Sequence, residues 1–182
     1  MLGRQADVGQ VLDYQGHRLG FRDIFRNTDE RTMISTVAGP GFLGNTLPAV
    51  RQRSEGGSPS ISNAQQLFVC SLFNSFTFDW LVRVKVTYHL NFFTVYQLPI
   101  PRLTKKDSQF HPLVQRAAKL ICTTPEFDAL AKEVGIQGHQ HGERDEAERQ
   151  KIRAEIDGIV AHRNSSGPLQ KSRRGILAES SL

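Results

Sequence analysis

The chain has 182 residues, 38% of them hydrophobic and 23% charged, with a net charge of +5 and a pI near 9.5. That length fits one domain of ordinary size, with or without a tail, and the composition allows a real but not a generous core. Cys70 and Cys122 offer neither a disulfide framework nor metal-ligand spacing, and read as buried thiols in a reducing cytoplasm; residues 1–4 lack the apolar core of a secretory signal, and the apolar run 67–78 falls short of the about 20 residues of a membrane span.

Residues 1–16 are polar and without period. Over 17–24 the sequence alternates, with Leu19, Phe21 and Asp23 on one face and Arg18 and Arg22 on the other, which predicts a short strand with a basic face. Residues 27–32 (NTDERT) form a polar turn, 33–37 a second strand, 38–41 (AGPG) a turn, and 42–50 extended chain bent at Gly44-Asn45. Together these predict an antiparallel meander, followed by a loop over 51–60. Ser62 with Gln65 three residues on is a capping box, and opens a long helix to about Lys85 that is apolar on nearly every side. Such a helix belongs at the centre of a domain.

Residues 87–101 (TYHLNFFTVYQLPIP) read as an aromatic strand closed by a Pro-x-Pro pair, since proline cannot donate to a sheet ladder. A linker over 102–109 leads to three helices. The first carries Phe110, Leu113, Val114, Ala117 and Ile121, with Pro112 in its first turn; the second is capped at Thr124 and ended by Gly135; the third, from Glu143 to about Val160, has the stripe Ile152, Ile156, Ile159 and Val160. Asp145/Arg149, Lys151/Glu155 and Arg153/Asp157 stand four apart along it. Residues 163–182 lose periodicity and read as a disordered tail. The expected fold is therefore α+β: an antiparallel sheet around a central apolar helix over 1–109, then a helical bundle over 110–162.

No catalytic constellation is visible. Gly39-Pro40-Gly41 is not followed by a helix and reads as a hairpin turn. Asp29, Glu30 and Asp79 lack the acidic-x-Lys partner of a Mg²⁺ nuclease. His139 and His141 flank Gln140 in a glycine-bounded loop with no third metal ligand nearby. Basic residues outnumber acidic ones by five to two over 61–109, a balance that suits a polyanion. The candidate contacts are Arg18, Arg22, Arg26, Thr28, Arg31, Arg83, Lys85 and His89. Two readings stand for the turn: its Thr and Arg donors hold phosphates, or Asp29 and Glu30 pair with Arg26 and Arg31 to fix the loop. Arg83 and Lys85 also suit a helix C-terminus without any ligand, and His89 also fits a packed role.

Several motifs occur in a telling order: Arg22-Asp23-Ile24 before the NTDERT turn, Leu43-Gly44-Asn45-Thr46-Leu47-Pro48, Leu72-Phe73-Asn74-Ser75, Phe78-Asp79, His89-Leu90-Asn91-Phe92-Phe93 and Gln97-Leu98-Pro99-Ile100-Pro101. Their series resembles the C-terminal target-recognition region of fused adenine-specific DNA methyltransferases and restriction enzymes of phage defence. The helical part, with residues 129–135 and 154–161, is also similar to the final bundle of those proteins. The resemblance implies a cytoplasmic module that reads duplex DNA, without membrane contact, for a catalytic domain that flips the target adenine. Methyl transfer in that class uses an Asn/Asp-Pro-Pro-Tyr/Phe loop, and this chain has no Pro-Pro pair. S-adenosylmethionine, and Mg²⁺ where cleavage occurs, would belong to catalytic domains outside this chain, which is then no enzyme by itself. Relatives continue past the last helix with an apolar, aromatic segment, whereas here Ala161-His162 gives way to Arg163-Asn164-Ser165-Ser166-Gly167; a truncated or frameshifted gene product is expected. The other reading of the chain is an interaction module that docks a separate methyltransferase or nuclease subunit through the C-terminal helices.

Overall fold

Strand β1 (Arg18–Phe21) and strand β2 (Ser35–Ala38) pair antiparallel, with Leu19 opposite Val37 and Phe21 opposite Ser35. Leu19, Phe21 and Val37 are fully buried. The computed structural model describes residues 12–26, 28–51, 60–86, 88–101 and 106–165. Most of the polar leader, the 51–60 loop, half of the 102–109 linker and most of the C-terminal tail lie outside the described residues, as do Asn27 and Thr87. The third segment of the expected meander runs beside β1 without becoming a strand: Phe21 N–H donates to Pro48 O at 3.0 Å and Val50 N–H to Leu19 O at 2.8 Å.

Helix α1 (Asn63–Phe73) begins at the expected capping box. Ser62 Oγ accepts from Gln65 N–H, and Gln65 Oε1 accepts from Ser62 N–H at 2.9 Å. Every residue from Gln66 to Phe73 is buried, which is why its sequence shows no single apolar stripe. The helix does not run on to Lys85. It stops at Asn74, and Ser75 caps a new helix, α2 (Phe76–Arg83). The break has a cause in the side chains. Asn74 Oδ1 accepts from Ser35 N–H at 2.9 Å and its Nδ2 donates to Ser35 O at 2.8 Å, so the carboxamide pairs with β2 as a neighbouring strand would. Ser75 Oγ donates to Leu72 O at 2.6 Å and accepts from Phe78 N–H.

The aromatic strand expected over 87–101 does not form. Asn91 Oδ1 accepts from Thr94 N–H at 3.0 Å and caps the short helix α3 (Phe92–Val95); only His89 makes a β-bridge, to Ile24. The buried residues here are Leu90, Val95, Leu98 and Ile100, a spacing without the period of two that a half-buried strand requires. Phe92 sets its ring edge-on to Phe21 at 5.1 Å.

Three C-terminal helices are present with shifted bounds: Thr124 makes no side-chain cap, and the third helix begins at Glu146 instead of Glu143 and runs to Ser165, into the stretch expected to be a tail. Helix α4 (Phe110–Ile121) lays Phe110 against Phe68 of α1 at 5.2 Å. A 3-10 turn (Pro125–Phe127) leads into α5 (Asp128–Glu133), which Gly135 ends at φ +86. Ile136 N–H there reaches back to Ala131 O at 2.8 Å and Gly135 N–H to Lys132 O at 3.2 Å, a Schellman closure with Ile136 buried. Helix α6 (Glu146–Ser165) buries Ile156 and Val160, with Ile152 and Ile159 packed at the margin. None of its expected i,i+4 pairs forms. Glu155 instead bonds Arg116 of α4 at 2.7 Å, and Asp157 leaves the helix for α2 and Arg31. Gly142 sits so close to Cys122 that an added Cβ would run into its carbonyl. The molecule is thus mixed α+β. Helix α1 contacts both strands, α2, α4 and α6, and one hydrophobic cluster includes residues from all of them. Among the described residues no helix is long and apolar enough to cross a membrane.

Candidate nucleic-acid interface

The loop between β1 and β2 is held from below by one carboxylate. Asp79 of α2 is 4% exposed; its Oδ1 accepts from Thr32 N–H at 2.6 Å and Met33 N–H at 2.8 Å. Its Oδ2 takes Arg83 Nε at 3.2 Å, four residues along the same helix. Arg83 then spends Nη2 on the carbonyls of Asp29, at 3.0 Å, and Glu30, at 2.7 Å. From the other side Arg22 donates to the Arg31 carbonyl and pairs with the Asp29 carboxylate at 3.1 Å. Charge-assisted bonds to backbone carbonyls are strong and directional, so residues 29–33 of the loop are held in place.

This arrangement sorts the eight candidate residues. Arg18 donates to the Gly41 carbonyl and secures the AGPG turn. Arg22 and Arg83 brace the loop, though the Arg83 side chain is still partly open to solvent. Arg31 lies over the Phe76 ring at 4.5 Å, with Asp157 Oδ2 at 3.5 Å. His89 Nδ1 stands 3.2 Å from Asp23 Oδ1. Arg26 and Lys85 are exposed, and their side chains have no partner among the described residues; Thr28 is exposed beside them. The loop network joins other partners than the sequence suggested: Asp29 takes the Arg22 side chain and the Arg26 backbone N–H, and Arg31 goes to Asp157.

Arg26 shares an edge with aromatic groups. Phe25 N–H donates to Tyr88 O at 3.3 Å and Leu90 N–H to Asp23 O at 2.8 Å, which sets Arg26 next to Tyr88 and His89. Tyr88 is exposed and meets the His89 ring edge-on at 4.7 Å. Along α2, Phe76, Trp80 and Val84 are 65%, 60% and 63% exposed at i, i+4 and i+8, so one helix face is apolar and open. Sequence spacing hid this face, because the whole span seemed to be core.

Two other groups bear on chemistry. Asp128 accepts from both the backbone N–H and Nδ1 of His139 at 2.8 Å, and these bonds hold its carboxyl below the usual range. The 139–141 stretch is therefore a pinned 3-10 turn rather than a loose loop. Burial pushes the Cys70 thiol up to about 11, partly offset by hydrogen bonds from Ser35 and Asn74; burial and the Asp128 charge do the same for Cys122. Neither thiol is a nucleophile at neutral pH.

A cleft of about 520 Å³ opens on the opposite side of the Arg31 loop, between the start of β2, the end of α1, α4 and α6. No family model, curated protein or solved structure matches this chain.

Proposed function

We propose that the chain is a DNA-binding specificity module of an adenine-specific methyltransferase or restriction enzyme, reading duplex DNA for a catalytic domain outside this chain. The observation that carries the reading is the edge where exposed Arg26, Thr28 and Tyr88 stand beside a loop braced by Arg22, Asp79 and Arg83, with exposed Lys85 two residues beyond Arg83 at the end of α2. A braced loop with free cations on its rim suits phosphate contacts that set register, and its neighbouring polar and aromatic groups suit base edges. On this reading the domain is an antiparallel sheet laid on the central apolar helix α1, and the C-terminal helices form a supporting bundle. The test is fluorescence anisotropy of a labelled duplex pool at several salt concentrations. Binding with a steep log–log salt slope is the expected result, and Arg26→Ala with Lys85→Ala together flatten that slope by about two. A well-folded chain with no affinity at low salt sinks the proposal.

A second reading has its own observation. The open Phe76, Trp80 and Val84 face of α2 suits docking of a separate methyltransferase or nuclease subunit. Under that reading the subunit co-purifies with the wild-type chain and is lost with Trp80→Glu, while DNA affinity stays weak in both.

A further inference from the structure

We infer that the cleft between β2, α4 and α6 is a binding site for a small amphipathic organic anion, an apolar body carrying one carboxylate or phosphate. Its volume, about 520 Å³, lies within the roughly 300–1,000 Å³ common for small-molecule sites. The walls are chemically divided. Met33, Ile34, Leu120, Ile121, Phe127 and Ile156 supply apolar surface. Ile34 is 43% exposed although it directly precedes a core strand, while Met33 and Ile156 are buried.

The charge along the cleft is mainly cationic. Arg31, Arg149 and Arg153 line it, against one acid, Glu30. Arg149 is committed to the carbonyls of Leu120, at 2.9 Å, and Glu143, at 2.7 Å. Arg153 uses only Nη1, on Glu146 at 2.7 Å, and is about half exposed. Arg31 Nη1 is buried with no acceptor, and its contact with Asp157 through Nη2 is long at 3.5 Å. A buried donor without an acceptor is costly. A small turn of the guanidinium toward an anion in the cleft would satisfy it, with Arg153 as the outer contact. The floor offers no competing charge: Ser35, Cys70 and Asn74 bond to one another. A cleft that combines apolar lining with two under-used guanidinium groups selects an amphipathic anion over a neutral apolar molecule or a bare inorganic ion.

The probe is anilinonaphthalene sulfonate, titrated by fluorescence into the full chain, with circular dichroism recorded alongside. One saturable site is expected, displaced by decanoate or octyl phosphate and not by decanol. The stronger of the two competitors identifies the headgroup as carboxylate or phosphate. Arg153→Glu and Ile34→Asp, both at partly exposed positions, each weaken the probe about tenfold or more, the loss of roughly one charge-assisted contact or of the apolar wall. Unsaturable binding, equal displacement by decanol, or unchanged affinity in both folded variants overturns the inference. So does stoichiometric displacement by a short DNA duplex, which would make the cleft part of a polyanion surface.

Discussion

Ser35 gives both its amide hydrogen and its carbonyl to the Asn74 side chain, and Ser35 Oγ lies 3.5 Å from Cys70 Sγ. At Ser35 the outer edge of β2 is thus met by the Asn74 side chain at the end of α1 instead of by a third strand, which shields that part of the edge. Cys70 shares in this arrangement, and its burial has a consequence for pH. An unfolded thiol loses its proton near 9, whereas folded Cys70 and Cys122 hold theirs to about 11. Folded pKa values raised above unfolded ones give stability that is complete below pH 9 and lost as pH rises toward 11. The unfolding free energy from urea denaturation is expected to fall across that window, by an amount on the order of 3 kcal/mol for each thiol. Cys70→Ala should flatten part of the fall. A midpoint equally pH-dependent in a variant lacking both thiols would assign the effect to other groups.

Helices α1 and α2 are one helix by sequence pattern and two in space, and Asp79 explains why the second must be placed independently. It reaches the backbone of Thr32 and Met33 only because the chain turns at Asn74–Ser75. Asp157 from α6 fixes the new helix at its start, accepting from Phe76 N–H at 2.6 Å. Asp79→Ala would leave two buried N–H groups without acceptors and release Arg83 from the loop. It is expected to lower unfolding stability by about 3 kcal/mol, measured by urea denaturation, with Asp79→Asn losing less. A change under about 0.5 kcal/mol would mean that water replaces the carboxylate. What the sequence made legible at this scale was local: the Ser62–Gln65 capping box, the Gly135 stop, and the apolar spacing of α4 and α6. What it concealed was tertiary. The break at Asn74 depends on a strand 39 positions away, and the i,i+4 charges of α6 are drawn off to Arg116, Phe76 and Arg31. Residues 87–101 have strand composition, but their buried positions lack strand period, and period decides whether a half-buried strand forms. The candidate site followed the same rule. The positions of the cations could be read, but whether each was free or bracing the loop depended on contacts across the chain.

At the scale of the whole molecule the question is how many units fold. The sequence divides naturally at the linker before Phe110, and the three helices beyond it look self-contained. Phe110, however, packs on Phe68, and α4 and α6 both contact α1. Without α1, the inner faces of α4 and α6 lose their partner; without α4, a side of α1, buried from Gln66 to Phe73, is bared to water. Each part alone exposes surface worth about 2 kcal/mol or more for every large side chain uncovered. The two parts should therefore unfold together. The chain provides its own probes, since its single tryptophan, Trp80, lies before the linker while far-UV circular dichroism is weighted toward α4 and α6. Urea transitions followed by the two signals are expected to coincide, and Phe110→Ala should move both by the same amount, about 3–4 kcal/mol for a buried phenylalanine. Transitions that separate, with Phe110→Ala shifting only the circular dichroism signal, would establish two units divided at the linker. Coincidence has a functional consequence. The braced loop would then keep its shape only while the C-terminal helices stay docked, because Asp157 of α6 fixes the start of α2, the helix that carries Asp79 and Arg83.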